Sequence, residues 1–248
     1  MFSQESRCVY AKNPLAEVIC QLRFPEILSI ELQLPAAFQD EIRGVFPKYS
    51  ARRENVSPQQ QTNNYQFSTE DGTWRVNMTS KFISLSCVRY TSWEAFAAML
   101  DKPLAAFIQI YQPAYFERIG LRYLNFISRR DLQLENVPYY ELISPQYLGV
   151  LADADIAEAG VTRCTVDVDV AIRGGCRAKV HAGPGKVTRG GKDDPETNFV
   201  FDLDLYMMGN VPVNVSAGAL QTLHAQSYGI FRGAITEQLH DAMEPFTP

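Results

Sequence analysis

Apolar and polar residues alternate along Asn13–Phe24, NPLAEVICQLRF, in the two-residue period of a half-buried strand. Further along, Glu117–Phe126 reads ERIGLRYLNF, again a Glu opening an apolar strand with an Arg inside it. Each copy leads on to more strand-like segments and then to a long amphipathic stretch. The pattern predicts two related halves, 1–113 and 114–248, each a strand, a helix or connector, a meander of three or four strands and a closing helix. The fold class expected is α+β: curved antiparallel sheet or sheets with long helices packed on them, built as pseudo-duplicated β-α-β(3-4)-α halves.

Within the first half, Pro35 opens a helix in which Phe38, Ile42, Val45 and Phe46 share one face, and Pro47 ends it. PEILSIELQ before it reads as a bridge. Strands are predicted at Ala51–Val56, Tyr65–Phe67, Thr73–Thr79 after the Asp71-Gly72 turn, and Lys81–Tyr90. Asn55–Asn64 is polar, contains proline and lacks a period, so it is expected to be an exposed, mobile loop. Thr91-Ser92-Trp93-Glu94 has the form of a capping box with Thr91 as N-cap, and the stripe Trp93, Phe96, Leu100, Leu104, Phe107 and Tyr111 continues from it. Pro103 is expected to kink that helix and Pro113 to stop it.

The second half begins with a strand at Tyr115–Ser128 and a Tyr-rich connector. Val161–Arg173 reads as a long strand, turned by Gly174-Gly175 into Cys176–His181. Gly183–Glu196 reads as a second mobile loop, Thr197–Met207 as the last strand, and Ala217–Met243 as one closing helix.

Composition narrows the classes of function. The 248 residues are 46% hydrophobic and 21% charged, with a formal net charge of -5, which argues against a chain-wide surface for tracking phosphates. No run of apolar residues is long enough to span a membrane, and MFSQESRCVYAK has no apolar core of a secretory signal. Five widely spaced cysteines with no C-x-x-C, and three histidines, do not make a structural zinc site. The expectation is a reduced, cytoplasmic protein with no cofactor and no membrane contact.

Three clusters carry candidate chemistry. Asp167 and Asp169 alternate with valines, and Asp202 and Asp204 with Phe201, Leu203 and Leu205, so each pair points away from the core. Were the two strands neighbours, four carboxylates would share a face as a divalent-metal or acid/base site; a solvated face laced with ion pairs is the favoured alternative. A three-residue Gly174-Gly175-Cys176 loop would pair Asp169 with His181 and bring Lys179 and Arg177 alongside. Arg118, Arg122 and Tyr123, with Arg163 and Arg173 and joined by Arg177 and Lys179, suggest a basic stripe for a nucleotide or nucleic acid on an exposed sheet face. GPGKVTRGGK lacks the order of a phosphate loop, and its Lys186, Arg189 and Lys192 are instead candidates for touching an acidic partner. No serine, cysteine or threonine has an identifiable base partner, so no catalytic residue is assigned.

Asn13-Pro14-Leu15, Glu17-Val18 and Leu22-Arg23-Phe24, followed by Leu34-Pro35, Phe38-Gln39, Ile42-Arg43 and Phe46-Pro47, resemble the sporadically distributed bacterial family of similar length that begins with an NPL-x-E-V-x-x-x-L-R-F motif. The strand Ile119–Asn125 and the helix with His224 look family-like too. The resemblance brings no catalytic residues; what it implies is horizontal transfer, as for defence, toxin–antitoxin or mobile-element genes. The leading expectation is therefore a non-enzymatic binding or regulatory protein that recognises another protein. Nucleotide or nucleic-acid binding on the sheet face, and a metal-dependent enzyme using the Asp cluster, stay open beside it.

Overall fold

Two residues, Val9–Tyr10 (β1), precede the strand that the first alternation predicts, β2 (Leu15–Arg23), in which Val18, Cys20 and Leu22 are fully buried. The computed structural model describes residues 3, 5–57, 60–189 and 191–247, with the backbone alone at 56, 57, 60 and 189. After β2 come the helices α1 (Leu28–Leu32) and α2 (Ala36–Ile42), the strands β3 (Lys48–Ser57), β4 (Gln60–Ser68), β5 (Trp74–Met78) and β6 (Phe82–Cys87), and the long helix α3 (Trp93–Tyr111). Then follow β7 (Phe116–Ile127), the short helix α4 (Tyr139–Leu142), β8 (Val166–Ala171), β9 (Cys176–Arg189), β10 (Lys192–Val211), α5 (Ser216–Ala234), α6 (Glu237–Ala242) and β11 (Pro245–Phe246).

The fold is α+β. Nine strands form one antiparallel sheet in the order β3-β4-β5-β6-β2-β7-β10-β9-β8, and β1 pairs with β11 apart from it. In both runs of the chain the leading strand (β2, β7) lies beside the last strand of the meander that follows it (β6, β10). The contacts divide the chain into two compact units, one of Glu17–Arg122 with Tyr206–Gln221 and the other of Met1–Ala16, Tyr123–Leu205 and Thr222–Pro248.

In the first unit α3 covers the sheet. Phe107 meets Phe24 with ring centroids 4.7 Å apart, Phe96 meets Trp74 at 5.6 Å, and Tyr111 reaches Phe38 of α2 at 6.5 Å. The N-cap of α3 is Ser92, whose hydroxyl accepts from the Ala95 N–H at 3.2 Å, so the cap lies one residue beyond the predicted Thr91 and Glu94 is not at the capping-box position. α3 continues through Pro103 and ends at Gln112 in the left-handed region, just before Pro113.

In the second unit α5 lies against β7, β9 and β10. The Tyr123 hydroxyl is 2.8 Å from His224 Nδ1, Gln226 Nε2 donates to the Arg173 carbonyl at 2.9 Å, and Phe231 packs on Phe201. The predicted single closing helix is broken: Ile235 bridges to Ile143, and Thr236 starts α6 by accepting from the Leu239 N–H. Among buried groups, the Arg232 side chain donates to Glu5 at 2.7 Å and to Glu237, tying the start of the chain to the α5–α6 corner.

Both predicted mobile loops are instead strand. Residues 55–57 and 60–64 lie in β3 and β4, paired from Lys48↔Ser68 to Ser57↔Gln60 with a bulge at the far end, and 183–189 and 192–196 lie in β9 and β10. Residues 58, 59 and 190 lie outside the described residues. These segments hide from a period-based reading because neither face of an overhanging hairpin has to be apolar; backbone pairing holds them. The long strand predicted at Val161–Arg173 shortens to β8, with irregular chain before it.

Candidate functional site

β8 and β9 pair in the register Asp167↔His181, Asp169↔Lys179 and Ala171↔Arg177, closed by Arg173-Gly174-Gly175 with the Ile172 N–H on the Cys176 carbonyl at 2.8 Å. The loop has the expected three residues but begins at Arg173, so every pair is shifted by two from the expected Asp169–His181, and Gly174 and Gly175 take the positive φ of 72° that the turn needs. The side chains stay on the expected face. His181 Nδ1 lies 2.7 Å from Asp167, and Arg177 holds Asp169 at 2.7 Å. On this face the acids of β8 (Asp167, Asp169) stand against the bases of β9 (Arg177, Lys179, His181), so the charges are paired across the strands as on a solvated ion-pair face.

The remaining sites fall apart physically. β9 lies between β8 and β10, so Asp202 and Asp204 are not on a strand adjacent to Asp167 and Asp169. Among the described residues no three His, Cys, Asp or Glu side chains gather as a metal cage. Tyr123 points to the helix side of β7, 7% exposed, whereas Arg118 lies over the Tyr206 ring at 4.6 Å; Arg122 is exposed on β7, Arg173 in the turn and Lys179 on β9. Lys186 donates to the Pro195 carbonyl at 2.7 Å and Lys192 is exposed; the side chain of Arg189 lies outside the described residues.

Arg163 and Lys186 meet at a feature that the sequence did not show, a cleft of about 780 Å³ in the second unit. One wall is the turn that leads into α4. There Arg129 lies over the Tyr139 ring at 4.1 Å, donates to Glu158 at 2.9 Å and to the Val137 carbonyl at 2.9 Å, and Glu158 also accepts from the Tyr139 N–H. Tyr139 donates its hydroxyl to the Thr197 carbonyl at 2.9 Å, and burial pushes that phenol up to about 12, against the pull of Arg129. The opposite wall is Pro184, Gly185 and Lys186 of β9. The chain crosses β9 where it enters β8: a Cβ on Gly183 would fall 2.3 Å from the Cys164 carbonyl oxygen, so only glycine admits that crossing. Arg163 and Cys164 border the cleft beside it, and the Cys164 thiol donates to the Leu148 carbonyl at 3.2 Å.

A second feature belongs to the first unit. α1 turns Ile30 inward, 1% exposed, and leaves Leu28 65% and Leu32 81% exposed one helical turn apart, with Leu34 75% exposed just beyond. A short helix with one buried residue is held by something else, and here it is Glu31. Its carboxylate accepts from Thr62 Oγ1 at 2.8 Å, the Asn63 N–H at 3.1 Å and Asn63 Nδ2 at 3.1 Å. β5 pairs with β4 only from Tyr65 to Ser68, so Glu31 takes the place of a strand at the uncovered edge of β4. The leucine patch was missed because α1 is too short to show a period; large apolar residues beside a single buried one were its only sign.

No protein-family model matches the chain, and no curated protein does. Among solved structures the chain is similar to the di-domain ARO/CYC StfQ from the steffimycin biosynthetic pathway, at 11% identity over 87% of this chain and 95% of that one, with a TM-score of 0.19. Among the described residues no helix is long and apolar enough to cross a membrane.

Proposed function

We propose that this chain is a non-enzymatic binding protein of the cytoplasm that recognises another protein. The observation that carries the reading is the set of Leu28, Leu32 and Leu34, three large apolar side chains left 65–81% exposed on and just beyond the helix fastened by Glu31. Large apolar side chains grouped on a surface mark contacts with a partner, and holding Leu28 and Leu32 on a short pinned helix reduces the ordering cost of binding. The resemblance of the N-terminal motif to a sporadically distributed bacterial family supports a partner within a defence, toxin–antitoxin or mobile-element system. The paired charges on the β8–β9 face favour this reading over nucleic-acid binding there. Native mass spectrometry of the chain purified from its source cells tests the proposal. A stoichiometric protein complex is expected; a chain carrying a nucleotide, an oligonucleotide or a metal in place of a protein would overturn it.

A further inference from the structure

The cleft in the second unit shares residues with the unpaired end of a strand. β8 stops pairing with β9 at Val166↔Ala182, yet β9 runs on to Arg189, and among the described residues its other neighbour in the sheet is β10. Among the described residues, 183–189 therefore has no strand on the side that β8 occupied, and Pro184, Gly185 and Lys186 of this stretch also line the cleft, with Thr197 of β10. Open edges are templates for another extended chain, through main-chain hydrogen bonds and pockets for alternate side chains. Pro184 offers no donor, so pairing there would rest on the carbonyls and on the residues that follow it.

Charge points to the class of occupant. Arg129 and Glu158 are committed to each other, and Lys186 has spent one of its donors on Pro195. Arg163 and Lys186, both exposed, border the cleft against the single further acid Glu135. A locally cationic cleft in a chain whose net charge is -5 suits an acidic ligand. We infer that this cleft takes an extended acidic segment of a partner protein, laid against β9 as an added strand with its carboxylates on Arg163 and Lys186. The site lies in a different unit from the leucine patch and stands independently of it.

The test uses the full chain and a short, end-blocked, dye-labelled peptide of alternating Glu and Val, read by fluorescence anisotropy beside a matched peptide with Lys in place of Glu. The Glu peptide is expected to bind and the Lys peptide not. Arg163→Glu with Lys186→Glu should weaken binding about tenfold or more, Glu135→Lys should strengthen it, and N-methylation of alternate backbone amides in the peptide should abolish it. All three positions are exposed, so an unchanged melting temperature confirms that the variants fold. Binding indifferent to both the charge reversal and N-methylation, equal binding of the Lys peptide, or occupation of the edge by a second copy of the chain would each overturn the inference. Failure here leaves the leucine patch untouched, and loss of partner binding on changing that patch alone leaves the cleft untouched.

Discussion

Glu31 is the smallest change that tests how the first unit presents its leucines. Its carboxylate carries one hydroxyl bond, one backbone N–H bond and one amide bond, at 2.8, 3.1 and 3.1 Å. Hydrogen bonds to a charged group contribute about 1.5–3 kcal/mol each in buried settings. The site is half-buried, so water replaces part of that, and Glu31→Ala is expected to cost about 2–3 kcal/mol. Glu31→Gln keeps the shape, and with its amide nitrogen at the Oε2 position it faces the Thr62 hydroxyl, which can turn to accept, while the amide oxygen keeps the Asn63 bonds without their charge, so the change should cost about 1 kcal/mol. The assay is urea unfolding followed at constant slope, with amide exchange at Asn63 as the local probe. In the Ala variant Asn63 should exchange faster than its neighbours in β3 and β4. A loss below about 0.5 kcal/mol together with unchanged exchange at Asn63 would refute the idea that Glu31 substitutes for a strand and holds α1 in place.

Phe201 is 1% exposed and meets Tyr147 at 5.2 Å and Phe231 at 6.0 Å, so Phe201→Ala should cost about 3–5 kcal/mol and lower the melting temperature by roughly 10 °C, read by calorimetry. Asp71 accepts from Thr73 and Thr69 at the β4–β5 turn, which holds its carboxyl well below the usual carboxylate range. Its contribution is therefore complete above the unfolded-state value near pH 4 and is lost as pH falls toward the folded value, so Asp71→Asn should flatten the acid limb of a stability–pH curve and leave its shape above neutrality unchanged. Replacing Leu28, Leu32 and Leu34 by Ser should leave the melting temperature of the isolated chain within a degree or two, because these side chains bury little in the free protein.

The alternation in Asn13–Phe24 and Glu117–Phe126 and the stripe of α3 were legible because one face of each is buried, which writes a period into the sequence. The parity of Asp167, Asp169, Arg177 and Lys179 was legible for the same reason, but their register was not: shifting a loop by one residue at Arg173 moves each pair by two while keeping its face. The arms at 55–57 with 60–64, and at 183–189 with 192–196, read as loops because their pairing is carried by backbone groups that composition does not report. The cleft was illegible for a different reason. It joins residues 129, 139, 158, 163 and 186 through a glycine crossing at 183 and an Arg129–Tyr139 stack, neither of which leaves a spacing in the chain. The leucine patch was in plain view as letters, but exposure is a property of the fold.

The measurement that bears most directly on partner recognition is native mass spectrometry of the wild-type chain and the Leu28→Ser, Leu32→Ser, Leu34→Ser variant, purified side by side from source cells. Burying a leucine contributes about 1.5–3 kcal/mol, so losing three at one interface should weaken a complex by a hundredfold or more, at about 1.4 kcal/mol per tenfold. The account predicts a stoichiometric protein complex for the wild type and a bare, normally folded chain for the variant. A variant that keeps the same partner, or a wild type that carries none, would contradict it.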